Sequence, residues 1–226
     1  MSIYSRIPIA FILAIALLLA GCERDENTST AKPKDYPGFN LSQARPEGEL
    51  FKWPDGISVL ESRLIDDNDC EQERNDQDRN VGFGEGVMFC ITFFNNTDKP
   101  INLTFPPGII WVSTKGDVQN GIVPTRTSFE IPSHQPYYAL MNATCINEPR
   151  GTTGGDWEKT PVITNHPGFK ELFQILESKK LNYEEYGGDR FKTPKPVPVM
   201  RAIINISGGR PVTKEIWDEI KALPNK

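Results

Sequence analysis

Gly86 to Thr97 reads GVMFCITFFNNT, and the two faces of this stretch decide the fold. Side chains alternate across a strand, so Val87, Phe89, Ile91 and Phe93 share one side while Met88, Cys90 and Phe94 share the other. A strand that is apolar on both sides is covered on both sides, which places it in the middle of a sheet. Asn95-Asn96-Thr97-Asp98-Lys99-Pro100 then ends it with a cluster of turn formers.

Working outward, short β-type runs lie on either side. Upstream, GISVLESRLI (56–65) is a candidate strand. Downstream, INLTF (101–105) sets Ile101, Leu103 and Phe105 against Asn102 and Thr104. Pro106-Pro107-Gly108 breaks that run, and IIWVST (109–114) resumes before Lys115-Gly116-Asp117. Two further runs follow, about 121–131 and 137–146. Strands at these intervals predict an antiparallel, immunoglobulin-like β-sandwich over residues 49–150. The position two before Cys145 is Ala143, where a true immunoglobulin domain has Tyr, so the architecture is predicted and the topology is not.

After Gly151-Thr152-Thr153-Gly154-Gly155 the period changes. Phe169, Leu172, Phe173 and Leu176 follow helical spacing, with Pro167 at the first helical position, giving a helix from about Pro167 to Lys179. Thr213 is an N-cap for a second, in which Ile216, Trp217, Ile220 and Leu223 precede Pro224. VPVMRAIINIS (197–207) reads two ways, as a helix begun by Pro198 and ended by Gly208-Gly209, or as a strand built on Ile203, Ile204 and Ile206; the helix is preferred. The fold class is therefore mainly β with C-terminal helices (α+β), with two or three short helices in residues 151–226 packed on the sandwich.

This tail resembles a group of exported bacterial sandwich proteins of uncharacterised activity, in which a helix with a Val-Gln-x-x-Ala-aliphatic-Trp pattern precedes a short terminal helix. Val199, Ala202 and Ile203 match it, and Ile204 stands where the Trp is expected. The resemblance implies a fold and no activity.

The N-terminus carries the most specific signal. Arg6 precedes an apolar run, Ile7 to Ala20, of about fourteen residues, whereas spanning a membrane takes ~20. Leu19-Ala20-Gly21-Cys22 follows, and this combination resembles the signal peptide and lipobox of bacterial lipoproteins. The resemblance implies cleavage before Cys22, diacylglycerol on its sulfur and an acylated amino terminus, so that residues 1–21 are a signal peptide and the membrane is reached through the lipid on Cys22. At ~0.8 kcal/mol per buried methylene, two or three chains hold a protein essentially permanently. Glu23 stands where Asp marks inner-membrane retention in enterobacterial lipoproteins, so the resemblance points to the outer rather than the inner membrane.

Residues 22–48 are polar and broken by Pro33, Pro37 and Pro46, which reads as a flexible linker. Removing residues 1–21, whose one charged group is Arg6, takes the formal charge from −5 to −6. An acidic chain without a basic patch lacks the footprint of a nucleic-acid binder.

Chemistry-bearing residues are sparse. His134 lies in a turn and His166 precedes Pro167 at a helix start, positions at which histidines are usually solvated or capping. Neither has ligands at metal spacing, and no nucleophile elbow occurs. Gly82-Phe83-Gly84-Glu85-Gly86 and Gly151 to Gly155 lack the lysine and the strand–helix setting of a phosphate loop and read as flexible turns. Asp66-Asp67-Asn68-Asp69, running on to Glu71, Glu73, Asp76 and Asp78, offers oxygen ligands suited to Ca²⁺, yet Cys70 breaks the EF-hand pattern and a solvated loop is the better reading. Trp111 and Phe93 read as core; Trp53, Tyr137, Tyr138 and Trp157, nearer loops, are the candidate contact surface.

With Cys22 lipidated, three cysteines remain for an oxidising compartment. If the first two strands are antiparallel neighbours, Cys70 meets Cys90 at their shared end, closing ~20 residues for roughly 3 kcal/mol. Cys90–Cys145 is the alternative. The expectation is Cys70–Cys90 with Cys145 free. These readings predict an anchored envelope lipoprotein that is not an enzyme, holds no cofactor or metal and binds an envelope protein or glycan; the alternative is an envelope hydrolase using a spatial carboxylate pair.

Overall fold

The computed structural model describes residues 36–64, 80–147, 150–151, 156–189 and 191–226. Ten strands fall within them: β1 (Gly48–Leu50), β2 (Ile57–Leu64), β3 (Asn80–Gly82), β4 (Gly86–Asn95), β5 (Ile101–Phe105), β6 (Ile109–Trp111), β7 (Gly121–Val123), β8 (Thr127–Ile131), β9 (Pro136–Cys145) and β10 (Val162–Thr164). Three C-terminal helices follow, α1 (Lys170–Leu176), α2 (Val197–Ser207) and α3 (Lys214–Lys221), with 3-10 turns at Pro167–Phe169 and Tyr183–Tyr186. The protein is thus mainly antiparallel β with C-terminal helices, an α+β fold.

β4 is central, as its two apolar faces require. It pairs antiparallel with β2 on one side and with β9 on the other, Phe89 opposite Met141. Val87, Phe89, Ile91 and Phe93 are each 0% exposed. The full order is β1-β10-β6-β7-β9-β4-β2, with β3 added parallel to β9, while β5 and β8 form a separate pair. Phe89 on β4 and Trp111 on β6 bring their ring centroids to 5.2 Å. Strands three places apart in a flat sheet stand roughly 14 Å apart, so this sheet curls around its inner face. The β5–β8 pair lies against that face: Phe105 meets Trp111 at 5.8 Å and Phe129 meets Phe93 at 5.7 Å.

The 121–131 run splits at Pro124-Thr125-Arg126, and its halves join different sheets. Asn80–Gly82 and Val162–Thr164 are strands too short to show periodicity. Gly82, Phe83 and Gly84 are buried, not a flexible turn, because β3 lies parallel along β9. Residues 197–207 are helical, with Pro198 in the first turn.

The linker reading of residues 22–48 needs correcting at its C-terminal end. Phe39 is 1% exposed and packs in the core, and β1 begins at Gly48, paired with β10. Composition reads as a linker because, within residues 36–48, Phe39 is the one buried aromatic ring among mostly polar neighbours. Three side chains hold its backbone: Asn147 Nδ2 and Asn120 Nδ2 donate to the Gly38 carbonyl, and Arg150 donates to the carbonyl of Ser42.

Candidate functional site

The site is built around the C-terminal end of α2. Val199, Ala202, Ile203 and Ile206 recur at helical spacing and are buried, which fixes the orientation of the helix. Gly208 and Gly209 stop it. Gly209 takes φ 65°, a left-handed turn that favours glycine, and donates its N–H to the Ile206 carbonyl at 3.0 Å. The chain reverses there and enters α3, where the Thr213 hydroxyl accepts from Ile216 N at 3.4 Å. Ile216 and Ile220 turn inward and leave Trp217 part-exposed.

Two concavities flank this helix end. The larger is a cleft of about 520 Å³ whose lining includes Tyr36, His166, Glu171, Arg210, Val212 and Trp217. Its volume falls in the range of small-molecule sites. His166 forms its firm wall. Its Nδ1 accepts from Gly168 N at 3.1 Å, capping the 167–169 turn, and its ring lies 3.8 Å from Tyr36, 4.8 Å from Phe39 and 5.1 Å from Phe169. Gly168 has to be small: a Cβ there would stand 2.9 Å from Ile206 Cγ2. Aromatic faces beside an arginine and a carboxylate suit a ligand with both apolar and polar faces.

The smaller is a cavity of about 100 Å³ between the end of β9, the Gln119 loop and the last turn of α2. Asn40 and Cys145 also line it. Cys145 is a free thiol, and burial pushes it up to about 11.

A third feature is Glu184. Its carboxylate accepts from Gly82 N at 2.9 Å, Asn182 Nδ2 at 3.0 Å and Ser128 N at 3.4 Å, joining β3, β8 and the 183–186 turn. Burial pushes it up to about 7, against the pull of those donors. Three donors serve this carboxylate, which makes it a structural clasp.

The residues singled out from sequence do not converge. His134 is exposed, at φ 52°, with Nε2 2.9 Å from Asp98 Oδ1. Trp157, expected near the surface, is 2% exposed and stacks on Phe89 at 4.6 Å. Tyr137 stacks on Phe129 at 5.4 Å, and Trp53 packs on Phe51 and donates to Thr160 Oγ1. Trp111 and Phe93 are core. Cys22, Cys70, the acidic run 66–78 and residues 152–155 lie outside the described residues. Cys90 is disulfide-bonded. Among the described residues no group of three or more His, Cys, Asp or Glu is placed to hold a metal, and no helix is long and apolar enough to cross a membrane.

Sequence reasoning missed Tyr36 and Trp217 as site residues. Tyr36 lies inside the segment whose composition reads as a linker, and Trp217 follows the apolar spacing of its helix. The available signal was that Ile216 and Ile220 already complete that face. Compared with protein-family models, curated proteins and solved structures, the chain matches none.

Proposed function

We propose that the protein is a lipid-anchored component of the bacterial cell envelope that binds a protein or glycan, without catalysis, in the cleft between Tyr36 and Trp217. The observation that carries this reading is that Tyr36, which lines the cleft and packs against the core, stands only fourteen positions from Cys22 in sequence. Residues 22–36 can extend at most about 50 Å, so a cleft at that end of the chain stays near the bilayer. The outer membrane is the proposed address, on Glu23.

The ring contacts between β4, β6 and the β5–β8 pair support reading the two sheets as a sandwich. The immunoglobulin-like comparison rests on that stacking alone. The rival reading, a hydrolase with a carboxylate pair, needs two carboxyl groups about 5–10 Å apart in one cleft. Among the described residues Glu171 is the one carboxylate lining this cleft, which favours binding.

The test is photo-crosslinking in intact cells from a label at Val212, on the cleft wall, with a second label at Lys99 as control. The expected result is a discrete adduct from position 212 that is lost in Trp217→Ala. Equal adducts from both positions, or an adduct from 212 that survives Trp217→Ala, would contradict the reading.

A further inference from the structure

One aromatic ring stands clear of the folded body. Phe191 is 98% exposed, while every phenylalanine on the strands is buried or half-buried. A single exposed apolar side chain is ordinary. What sets Phe191 apart is the turn beneath it. Asp189 Oδ1 accepts from Phe191 N at 2.8 Å, and the Asp189 carbonyl accepts from Thr193 N at 3.2 Å and from the Thr193 hydroxyl at 2.8 Å. Thr193 is buried, and Asn80 Nδ2 donates to the carbonyl of Gly188 at 2.9 Å, so the turn is pinned to the body on both sides. Pro194, Pro196 and Pro198 then fix φ in the chain that leads into α2.

The charges around the ring are arranged in the same sense. DRFKTPK (189–195) holds three cations and one acid in a chain whose net charge is −5. Lys192 Nζ lies 2.9 Å from Asp189 Oδ2, and Lys195 Nζ lies 2.5 Å from Glu85 Oε1. The cations stand outermost in both pairs: the Lys192 side chain is 76% exposed against 23% for Asp189, and Lys195 56% against 40% for Glu85. Surface pairs of this kind are weak, so each ammonium can exchange its carboxylate for a phosphate. Val197, also exposed, adds a second apolar group at the start of α2.

We propose that the turn carrying Phe191, Lys192 and Lys195 docks on the surface of an anionic lipid bilayer. The ring enters the boundary between headgroups and acyl chains, and the two ammonium groups meet lipid phosphates. One ring and two lysines fall well short of the ~800 Å² per side of a stable protein interface. A bilayer needs neither a matching pocket nor a large area. It takes a protruding ring anywhere on its surface, while lysine stems lie along the boundary with their charges among the headgroups. The turn leads into the first residue of α2 and the Trp217 cleft lies at its last turn, so the two sites are separate.

Tryptophan fluorescence of the full chain on vesicles with brominated acyl chains tests the proposal. Phe191→Trp and Lys99→Trp each add one emitter at an exposed position, read as the difference from the parent, and both should melt like the parent. On phosphatidylglycerol vesicles the emission added at 191 is expected to shift to the blue and be largely lost to bromine, while that added at 99 does neither. Replacing phosphatidylglycerol by phosphatidylcholine should lower the ratio of docked to undocked turn. In phosphatidylglycerol, Lys192→Gln and Lys195→Gln should each lower it by roughly fivefold. The readout is local to position 191, so it stands whether or not Cys22 carries lipid and is independent of the Trp217 crosslinking test. Emission from 191 that stays unshifted and unquenched, equal quenching at 191 and 99, or docking unchanged in phosphatidylcholine and in both lysine variants would overturn the proposal. A shift at 191 that requires envelope protein rather than lipid would assign the turn to a protein partner and overturn it too.

Discussion

Asn147 Nδ2 donates to the carbonyl of Gly38 at 2.8 Å, joining two residues 109 positions apart in the chain. Asn147 Oδ1 meanwhile accepts from Asn120 N at 3.0 Å, and Asn120 Nδ2 donates to the same Gly38 carbonyl at 3.3 Å. Under the proposed anchoring at Cys22, the pull of the membrane would reach the described residues at this point. The clasp therefore ties residues 38–40 to the folded body.

Phe39 and Asn147 should then be sensitive positions in what composition describes as a linker. Phe39→Ala opens a buried aromatic site and is expected to destabilise by about 3–5 kcal/mol. Asn147→Ala strands the Asn120 N–H and one bond to Gly38, for about 1–3 kcal/mol. Denaturant unfolding measures both. Wild-type midpoints for these variants would show that residues 36–42 do not belong to the folded unit.

Glu184 predicts a pH slope. Its folded-state value, about 7, lies above the ordinary 4.5, so the folded protein holds a proton that the unfolded chain releases between those values. Stability then falls as pH rises from about 4.5 to 7 and levels off above. The expected loss is about 1–2 kcal/mol, less than the full shift implies, because the residue is part-exposed and three donors favour the anion. Unfolding free energies at pH 5 and pH 8 measure the slope, and Glu184→Gln should flatten it. An unchanged slope in that variant would assign the pH dependence elsewhere.

Lys179 is 6% exposed, and its ammonium donates to Lys221 O at 2.6 Å, Leu223 O at 2.9 Å and Asn225 Oδ1 at 2.9 Å. It closes the C-terminal end of α3, where a cation also meets the favourable end of the helix dipole. Lys179→Met leaves those oxygens without their donor and is expected to lower stability by roughly 2–3 kcal/mol. All three partners are neutral oxygens, so the loss should be nearly the same in low and high salt. A loss that disappears in 1 M salt would point instead to a charge pair.

The cysteines predict a sharp chemical asymmetry. Cys145, a free thiol pushed up to about 11, should react slowly with a thiolate-selective reagent at pH 8, where only about a thousandth is ionised. Denaturant should speed that reaction by orders of magnitude. Peptide mapping without reduction should link the Cys90 peptide to the Cys70 peptide. A linked peptide containing Cys145 would contradict the pairing.

Legibility from sequence followed the physics of each element. β4 could be placed in the middle of a sheet because ten residues repeat the strand period on two apolar faces. α3 could be capped at Thr213 because its signals are local. β1, β3 and β10 are three residues each, held by partners far away in sequence, and leave no period to detect. The curl that brings Phe89 to Trp111 and buries Trp157 is a tertiary effect, so Trp157 looked like a loop residue. The site was the least legible part. Tyr36, His166 and Trp217 come from three separate segments, and nothing in their spacing brings them together.

The proposed function depends most on Cys22, whose lipid would hold the cleft near the bilayer. Intact-mass and peptide analysis of the protein extracted from membranes measures this directly. The predicted result is a mature N-terminal peptide that begins at Cys22 and carries diacylglycerol on the sulfur and an acyl chain on the amine. Cys22→Ser should abolish labelling by palmitate. A mature protein that begins elsewhere, or an unmodified Cys22 in membrane-extracted protein, would contradict the lipid anchor.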